Sequence, residues 1–136
     1  MMKIDFTKET VFSFEGPNLC LLGNEADFLS LAKSIADLTA IEMEASIRLG
    51  DLDFVRNEGD NIQILFTSKV GSKKLGVFTE DKKLVFELDA RYWERIFKYF
   101  IFMSWQKCTY YLNSYEEAFR DLDLEQECNF ICSSEF

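Results

Sequence analysis

Four stretches of this 136-residue chain carry side chains of the types that perform catalysis or bind ions. Ser30-Leu31-Ala32-Lys33 has the Ser-x-x-Lys spacing that, on a helix, sets a lysine beside a serine hydroxyl as its base. The Ser-Asp-Asn and Lys-Thr-Gly companions of such a site are missing, and the chain is short for it. Gly71-Ser72-Lys73-Lys74-Leu75-Gly76 has the glycine spacing of a phosphate-binding loop. Val77 and Phe78 stand where Lys and Ser/Thr must hold phosphate and magnesium, so the stretch reads as a turn. Asp51-x-Asp53 and Asp121-x-Asp123-x-Glu125 begin like calcium loops. Arg56 and Gln126 occupy the sixth position, which requires glycine, and Ile62 and Cys132 the position of the closing glutamate.

The chain has no histidine. General acid–base work near neutral pH uses histidine most often, and a Ser or Cys nucleophile usually needs it as base. The cysteines Cys20, Cys108, Cys128 and Cys132 include no Cys-x-x-Cys pair, so a zinc site would rest on thiolates and carboxylates alone. No catalytic residue, metal ligand or cofactor is assigned on this basis. Paired carboxylates in a metal-assisted or glycosidic hydrolase stay open as an alternative, with no spacing that sets such a pair apart from surface acid.

The carboxylates are most regular near the C-terminus. Asp121, Asp123, Glu125 and Glu127 alternate with Leu122, Leu124, Gln126 and Cys128. An extended chain rises about 3.3 Å per residue, which sets all four acids on one face across roughly 20 Å. Glu116 and Glu117 lengthen the same acidic surface. Two readings stand: a solvated outer face that also protects a sheet edge, or a docking surface for a basic partner. Trp105, Tyr110, Tyr111 and Tyr115 lie beside it in sequence, and aromatic anchors within a charged rim suit a tight interface.

The net charge of −9 is unevenly spread. Residues 1–68 hold twelve acids against five bases, residues 69–107 five against nine, and residues 108–136 seven against one. A field of this overall sign repels phosphate backbones and anionic lipid, so neither nucleic acid nor membrane is the expected partner; a cationic protein is. The chain Met1–Phe6 already reads as a strand with no apolar leader ahead of it, so reduced thiols in a cytoplasmic protein are expected.

Eleven of the twenty-one aromatics fall between Tyr92 and Phe119. Asp89 can cap a helix beginning at Ala90, on which Trp93, Ile96, Phe97, Phe100 and Met103 share a face opposite Arg91, Arg95 and Lys98. Phe102 and Trp105 turn toward the polar side. Either the helix stops near Ile101, or the segment after Lys107 covers these rings, or they are exposed for a partner. The apolar run Tyr99–Trp105 lasts seven residues, far short of the roughly 20 a membrane span needs.

The remaining elements must position these groups. Strands are expected at Lys3–Thr7, Thr10–Glu15, Asn18–Leu22, Glu44–Leu49, Leu52–Val55 and Ile62–Thr67, with a hairpin of Lys74–Thr79 and Lys83–Leu88. A helix at Glu25–Thr39 opens on Asn24 and Asp27, a capping-box spacing, and carries the stripe Phe28, Leu31, Ala32, Ile35 and Leu38. Tyr110–Asn113 reads as a short strand. Ser114-x-x-Glu117 opens a short helix, and 121–133 alternates again. With no repeat or linker, residues 1–136 form a single α+β domain. It has an antiparallel or mixed sheet of about six to eight meandering strands packed with two main helices, about 25–39 and 90–104, and a short C-terminal helix.

Gly23-Asn24-Glu25-x-x-Phe28-Leu29-x-Leu31-Ala32-x-x-Ile35-Ala36-x-Leu38, followed by an acidic alternating strand, resembles a segment of bacterial immunity proteins of polymorphic or contact-dependent growth inhibition toxin systems. The likeness covers about sixteen residues. It departs from the pattern at Ala45–Leu49, which lacks the histidines often found in the strand after the helix. The resemblance implies an inhibitor that binds and neutralises a cognate basic toxin without catalysis. On that reading the partner-binding residues are Glu116, Glu117, Asp121, Asp123, Glu125, Glu127, Trp105, Tyr110, Tyr111 and Tyr115. A small adaptor module for another protein is the alternative use of the same surface, and the oligomeric state stays open.

Overall fold

A computed structural model describes residues 1–8, 16–41, 43–56, 62–79, 82–114, 119 and 122–135. The expected strand at 10–15, the turns at 57–60 and 80–81, and the short helix after Ser114 fall outside these residues. So do the candidate site residues Tyr115, Glu116, Glu117 and Asp121.

The described chain is α+β, with nine strands in two mixed sheets and two helices. Strand β1 (Met2–Thr7) buries Met2 and Ile4 and exposes Lys3 and Asp5, the alternation of a strand with one covered face. Strand β2 (Asn18–Leu22) follows. Helix α1 (Glu25–Ala40) starts where expected, because Asn24 Oδ1 accepts from the Asp27 N–H and Asp27 Oδ2 accepts from the Asn24 N–H. Its buried side is the expected stripe, together with Asp27. Strand β3 (Ala45–Arg48) ends in a 3₁₀ turn at Leu49–Asp51, and only Val55–Arg56, β4, is extended where Leu52–Val55 was expected to be. Strands β5 (Gln63–Ser68), β6 (Lys73–Thr79) and β7 (Lys83–Leu88) lead into helix α2 (Ala90–Met103). Strands β8 (Thr109–Tyr111) and β9 (Asn129–Ser133) complete the set.

Neither sheet is the meander expected from sequence order. The first runs β4-β1-β2-β9-β8 and the second β3-β5-β7-β6. β1 pairs antiparallel with β2, whereas β4 joins β1, β9 joins β2 and β7 joins β5 in parallel. The physical reason is burial. β2 and β9 are covered along nearly their whole length, and such strands belong mid-sheet whatever their distance in sequence.

The inner faces of the sheets meet through aromatic rings. Phe130 of β9 lies 4.7 Å from Phe86 and 6.4 Å from Phe66, centroid to centroid. Trp93 of α2 packs 4.9 Å from Phe66 and donates its Nε1–H to the Thr67 carbonyl at 2.9 Å. Phe28 of α1 meets Phe100 of α2 at 5.6 Å. These rings are fully buried. Each contributes roughly 1.5–3 kcal/mol by leaving water, so the cluster holds both sheets and both helices in one core. No helix among the described residues is long and apolar enough to cross a membrane.

Candidate protein-binding surface

Asp89 fixes where α2 begins. Its Oδ1 accepts from the Arg91 N–H, and its Oδ2 accepts from the Gly71 N–H at 2.9 Å across the 69–72 turn. These two backbone donors hold its carboxyl below the ordinary carboxylate range. The glycine-spaced stretch 71–76, expected to be a turn, is one only at Gly71–Ser72; from Lys73 onward it is strand β6. Gly71 has φ +80°, and Gly76 has φ +82° at the register shift within β6.

From Asp89 the helix runs through Met103 and then turns back. Ser104 donates its N–H to the Phe100 and Ile101 carbonyls, and Gln106 donates to Phe102. This reversal decides the fate of the off-face rings. Tyr110 of β8 packs edge-on against Phe102 at 6.0 Å and against Tyr99 at 4.6 Å, so Phe102 is half-buried by the segment after Lys107. Trp105 touches Phe102 edge-on at 5.6 Å yet stays 67% exposed. Rings therefore step outward from Phe119 through Tyr99, Tyr110 and Phe102 to Trp105. Beside them lies a groove of about 490 Å³ lined by Arg95, Lys98, Tyr99, Phe102 and Tyr110. Desolvation, then the neighbouring Cys108, pushes the Tyr110 phenol above its ordinary pKa, so it is a neutral hydrogen-bonding tip at physiological pH. Tyr111 is exposed from the same strand.

The carboxylate segment is placed by a different edge. It is not the regular strand expected: Asp123 has φ +52°, and Glu125 makes a single bridge to Lys74. A left-handed residue interrupts the pleat, so strand geometry resumes only at Asn129. The alternation of exposure survives, with Asp123, Glu125 and Glu127 exposed and Leu124 and Cys128 buried. The segment lies along β6. Leu75 donates its N–H to the Glu125 carbonyl at 2.7 Å, Glu125 donates to Lys73 at 2.8 Å, and Glu127 donates to Gly76 at 3.0 Å. Glu127 Oε1 also accepts from the Phe78 N–H. The acidic segment thus covers the edge of the second sheet and then enters the first sheet as β9.

Gln126 was expected only as an inward-facing position and proves to be the joint between the two groups. Its Oε1 accepts from the Ser114 N–H at 2.7 Å, and its Nε2 donates to Asn113 Oδ1 at 3.2 Å. Asn113, fully buried, also accepts from the Phe130 N–H. The signal was present, since a polar residue at an apolar register position must satisfy its amide inside. Trp105 and Tyr110 are therefore brought together at the approach to β8 and in the strand. Asp123, Glu125 and Glu127 gather beyond its exit, past Leu112–Ser114. Among the described residues the aromatics and the acids form two neighbouring groups, and Arg95 and Lys98 border the aromatic groove.

Other candidate chemistry finds no assembled site among the described residues. No group of three or more Cys, Asp or Glu side chains is arranged there to hold a metal. Ser30 and Lys33 sit on α1 with Ser30 half-buried and Lys33 exposed. All four cysteines are free. Comparisons with protein-family models, with characterised proteins and with solved structures found no match to this chain.

Proposed function

We propose that this protein works by stoichiometric protein binding, as an immunity protein that neutralises a cognate cationic toxin in the cytoplasm. The observation that carries the reading is the state of Asp123 and Glu125. Both carboxylates are exposed, and neither has an ion-pair partner among the described residues. Backbone bonds to β6 hold their segment in place. Fixed, uncompensated charge speeds and orients encounter with an opposite charge while costing little ordering entropy on binding. Trp105 supplies an exposed apolar anchor, and the four free thiols suit a reducing compartment. The resemblance of residues 23–38 to immunity proteins names the partner class.

The test is co-expression with the toxin encoded beside this gene, paired with stopped-flow association of the purified proteins. Protection of the host and a rate that falls with added salt are expected. The double substitution Asp123→Lys/Glu125→Lys should slow association about tenfold or more and flatten its salt dependence, with an unchanged circular dichroism spectrum. An association rate indifferent to that substitution rejects these acids as the docking site. A second reading, an adaptor module for a different protein, draws on the cation-bordered groove at Arg95 and Lys98. Binding without protection from the toxin selects it.

A further inference from the structure

The two edges of the second sheet are treated differently. The β6 edge is closed by the 125–127 segment, as described above. Among the described residues the β3 edge is open, and the direction of its backbone groups follows from its neighbour. In β5, Gln63 donates to Lys82 O and Lys69 donates to Leu88 O, so the odd-numbered residues of that strand face β7. Backbone groups alternate sides along a strand, so Phe66 and Ser68 face β3, where Ile47 and Ala45 lie opposite them. Ser46 must then direct its N–H and C=O away from the sheet, and Arg48 its N–H. No hydrogen bond to those groups is found among the described residues. Four extended residues with no proline and no bulge, open on one side, are a template for another strand.

We propose that β3 pairs antiparallel with β3 of a second copy of this chain, about a two-fold axis through Ser46. The sequence around that axis is complementary to itself. Centred on Ser46, the register sets Glu44 opposite Arg48 of the second copy, and Arg48 opposite its Glu44. Ala45 falls opposite Ile47 on the inner face, small against large. Glu44 and Arg48 are both exposed, and neither has an ion-pair partner among the described residues of its own chain. Opposite charges on directly facing positions stabilise a strand pair, and like charges oppose it.

Other registers fail on the same terms. A one-residue slip sets inward-bonded groups against outward ones. A two-residue slip, with the axis at Ile47, keeps the bonding parity but sets Arg48 opposite Ser46 and loses both Glu44–Arg48 pairs, and a four-residue slip centred on Arg48 sets that guanidinium against its own copy. Met43, exposed by 78%, shares the parity of Ala45 and Ile47 and gains cover from the second copy's inner side. Strands β6-β7-β5-β3 would continue into their copies as one eight-stranded sheet. This surface involves neither Trp105 nor the 123–127 acids, so it stands apart from the proposed function.

Sedimentation equilibrium on the full chain under reducing conditions, from low micromolar to near-millimolar protein, tests the proposal. A concentration-dependent dimer is expected. Glu44→Arg and Arg48→Glu singly should each weaken it at least tenfold, because each change places like charges together twice across the axis. The double exchange Glu44→Arg/Arg48→Glu restores the pairing and should recover the dimer. Ser46→Pro, which removes the outward N–H together with the Ser46–Thr67 hydroxyl hydrogen bond of 2.8 Å but no β3–β5 backbone bond, should give a folded monomer by circular dichroism. A monomer at every concentration overturns the proposal. So does a dimer that ignores both single reversals, or one that the double exchange fails to restore.

Discussion

Glu127 Oε1 accepts a hydrogen bond from the Phe78 backbone N–H at 2.8 Å, although the two residues are forty-nine apart in sequence. A carboxylate here does the work of a neighbouring strand, supplying an acceptor to the outer edge of β6. Replacing it should be felt as stability, not only as lost charge. Glu127→Ala is expected to lower the free energy of unfolding by about 0.5–1.5 kcal/mol in urea titrations. Glu127→Gln keeps an acceptor and should fall within about 0.5 kcal/mol of the parent.

Gly76 sits where the acidic segment crosses β6, with its carbonyl accepting from Glu127 and its φ at +82°. A Cβ there would come within 3.2 Å of the Phe86 ring and 3.4 Å of the Cys128 carbonyl. Gly76→Ala therefore combines an unfavourable backbone conformation with a tight contact in the core. A loss of about 1–3 kcal/mol is expected, read as a lowered thermal midpoint.

Asp89 couples the 69–72 turn to the start of α2, and its folded pKa is depressed by the two backbone donors it accepts from. A depressed carboxylate contributes stability that is present above its unfolded pKa and is lost as pH falls through its folded one. Asp89→Ala should therefore lower stability by about 0.5–2 kcal/mol at neutral pH, the usual loss of an N-cap. The gap between parent and variant should narrow below pH ~4. Urea midpoints compared at neutral and acid pH give the answer.

The thiols report on the alkaline side. Burial, aided by Asp5, pushes Cys20 up to about 11, and burial, aided by Cys20, pushes Cys128 up to about 12. Groups raised in the folded state contribute stability in full below the unfolded value near 9.0, and it is lost as pH climbs through the folded values. Unfolding should become easier from about pH 9 upward, and Cys128→Ala should flatten that slope. Alkylation at neutral pH should be slow in the native protein and rapid for all four cysteines in denaturant.

What was legible in the chain was local. Asn24 and Asp27 lie three residues apart, and the stripe from Phe28 to Leu38 repeats at helical spacing, so α1 was readable. Asp89 marked the start of α2 in the same way. The β6–β7 hairpin was also legible, because its turn joins strands adjacent in sequence. Pairings across long stretches of chain were not. Asn18 and Asn129 are bonded side chain to side chain at a separation of 111 residues, and nothing in either strand names the other. The acidic tail was read half correctly. Alternation predicted which side chains meet water, but alternation alone cannot show that Asp123 adopts a left-handed backbone. Trp105 was undecidable from spacing, since its exposure depends on how tightly the chain reverses after Ser104. Closeness in sequence likewise concealed Gln126, whose amide bonds to Asn113 and Ser114 set the described acids beyond the far end of β8.

The two tryptophans differ as far as two indoles in one small protein can. Trp93 is sealed in the core with its N–H bonded, and Trp105 stands in water at the end of the ring series. The native emission spectrum is therefore a sum of a shielded component and one open to collisional quenchers such as iodide. Any partner that settles on Trp105 will extinguish the quencher-sensitive fraction and shift it to the blue, so the protein carries its own optical reporter of occupancy and needs no label.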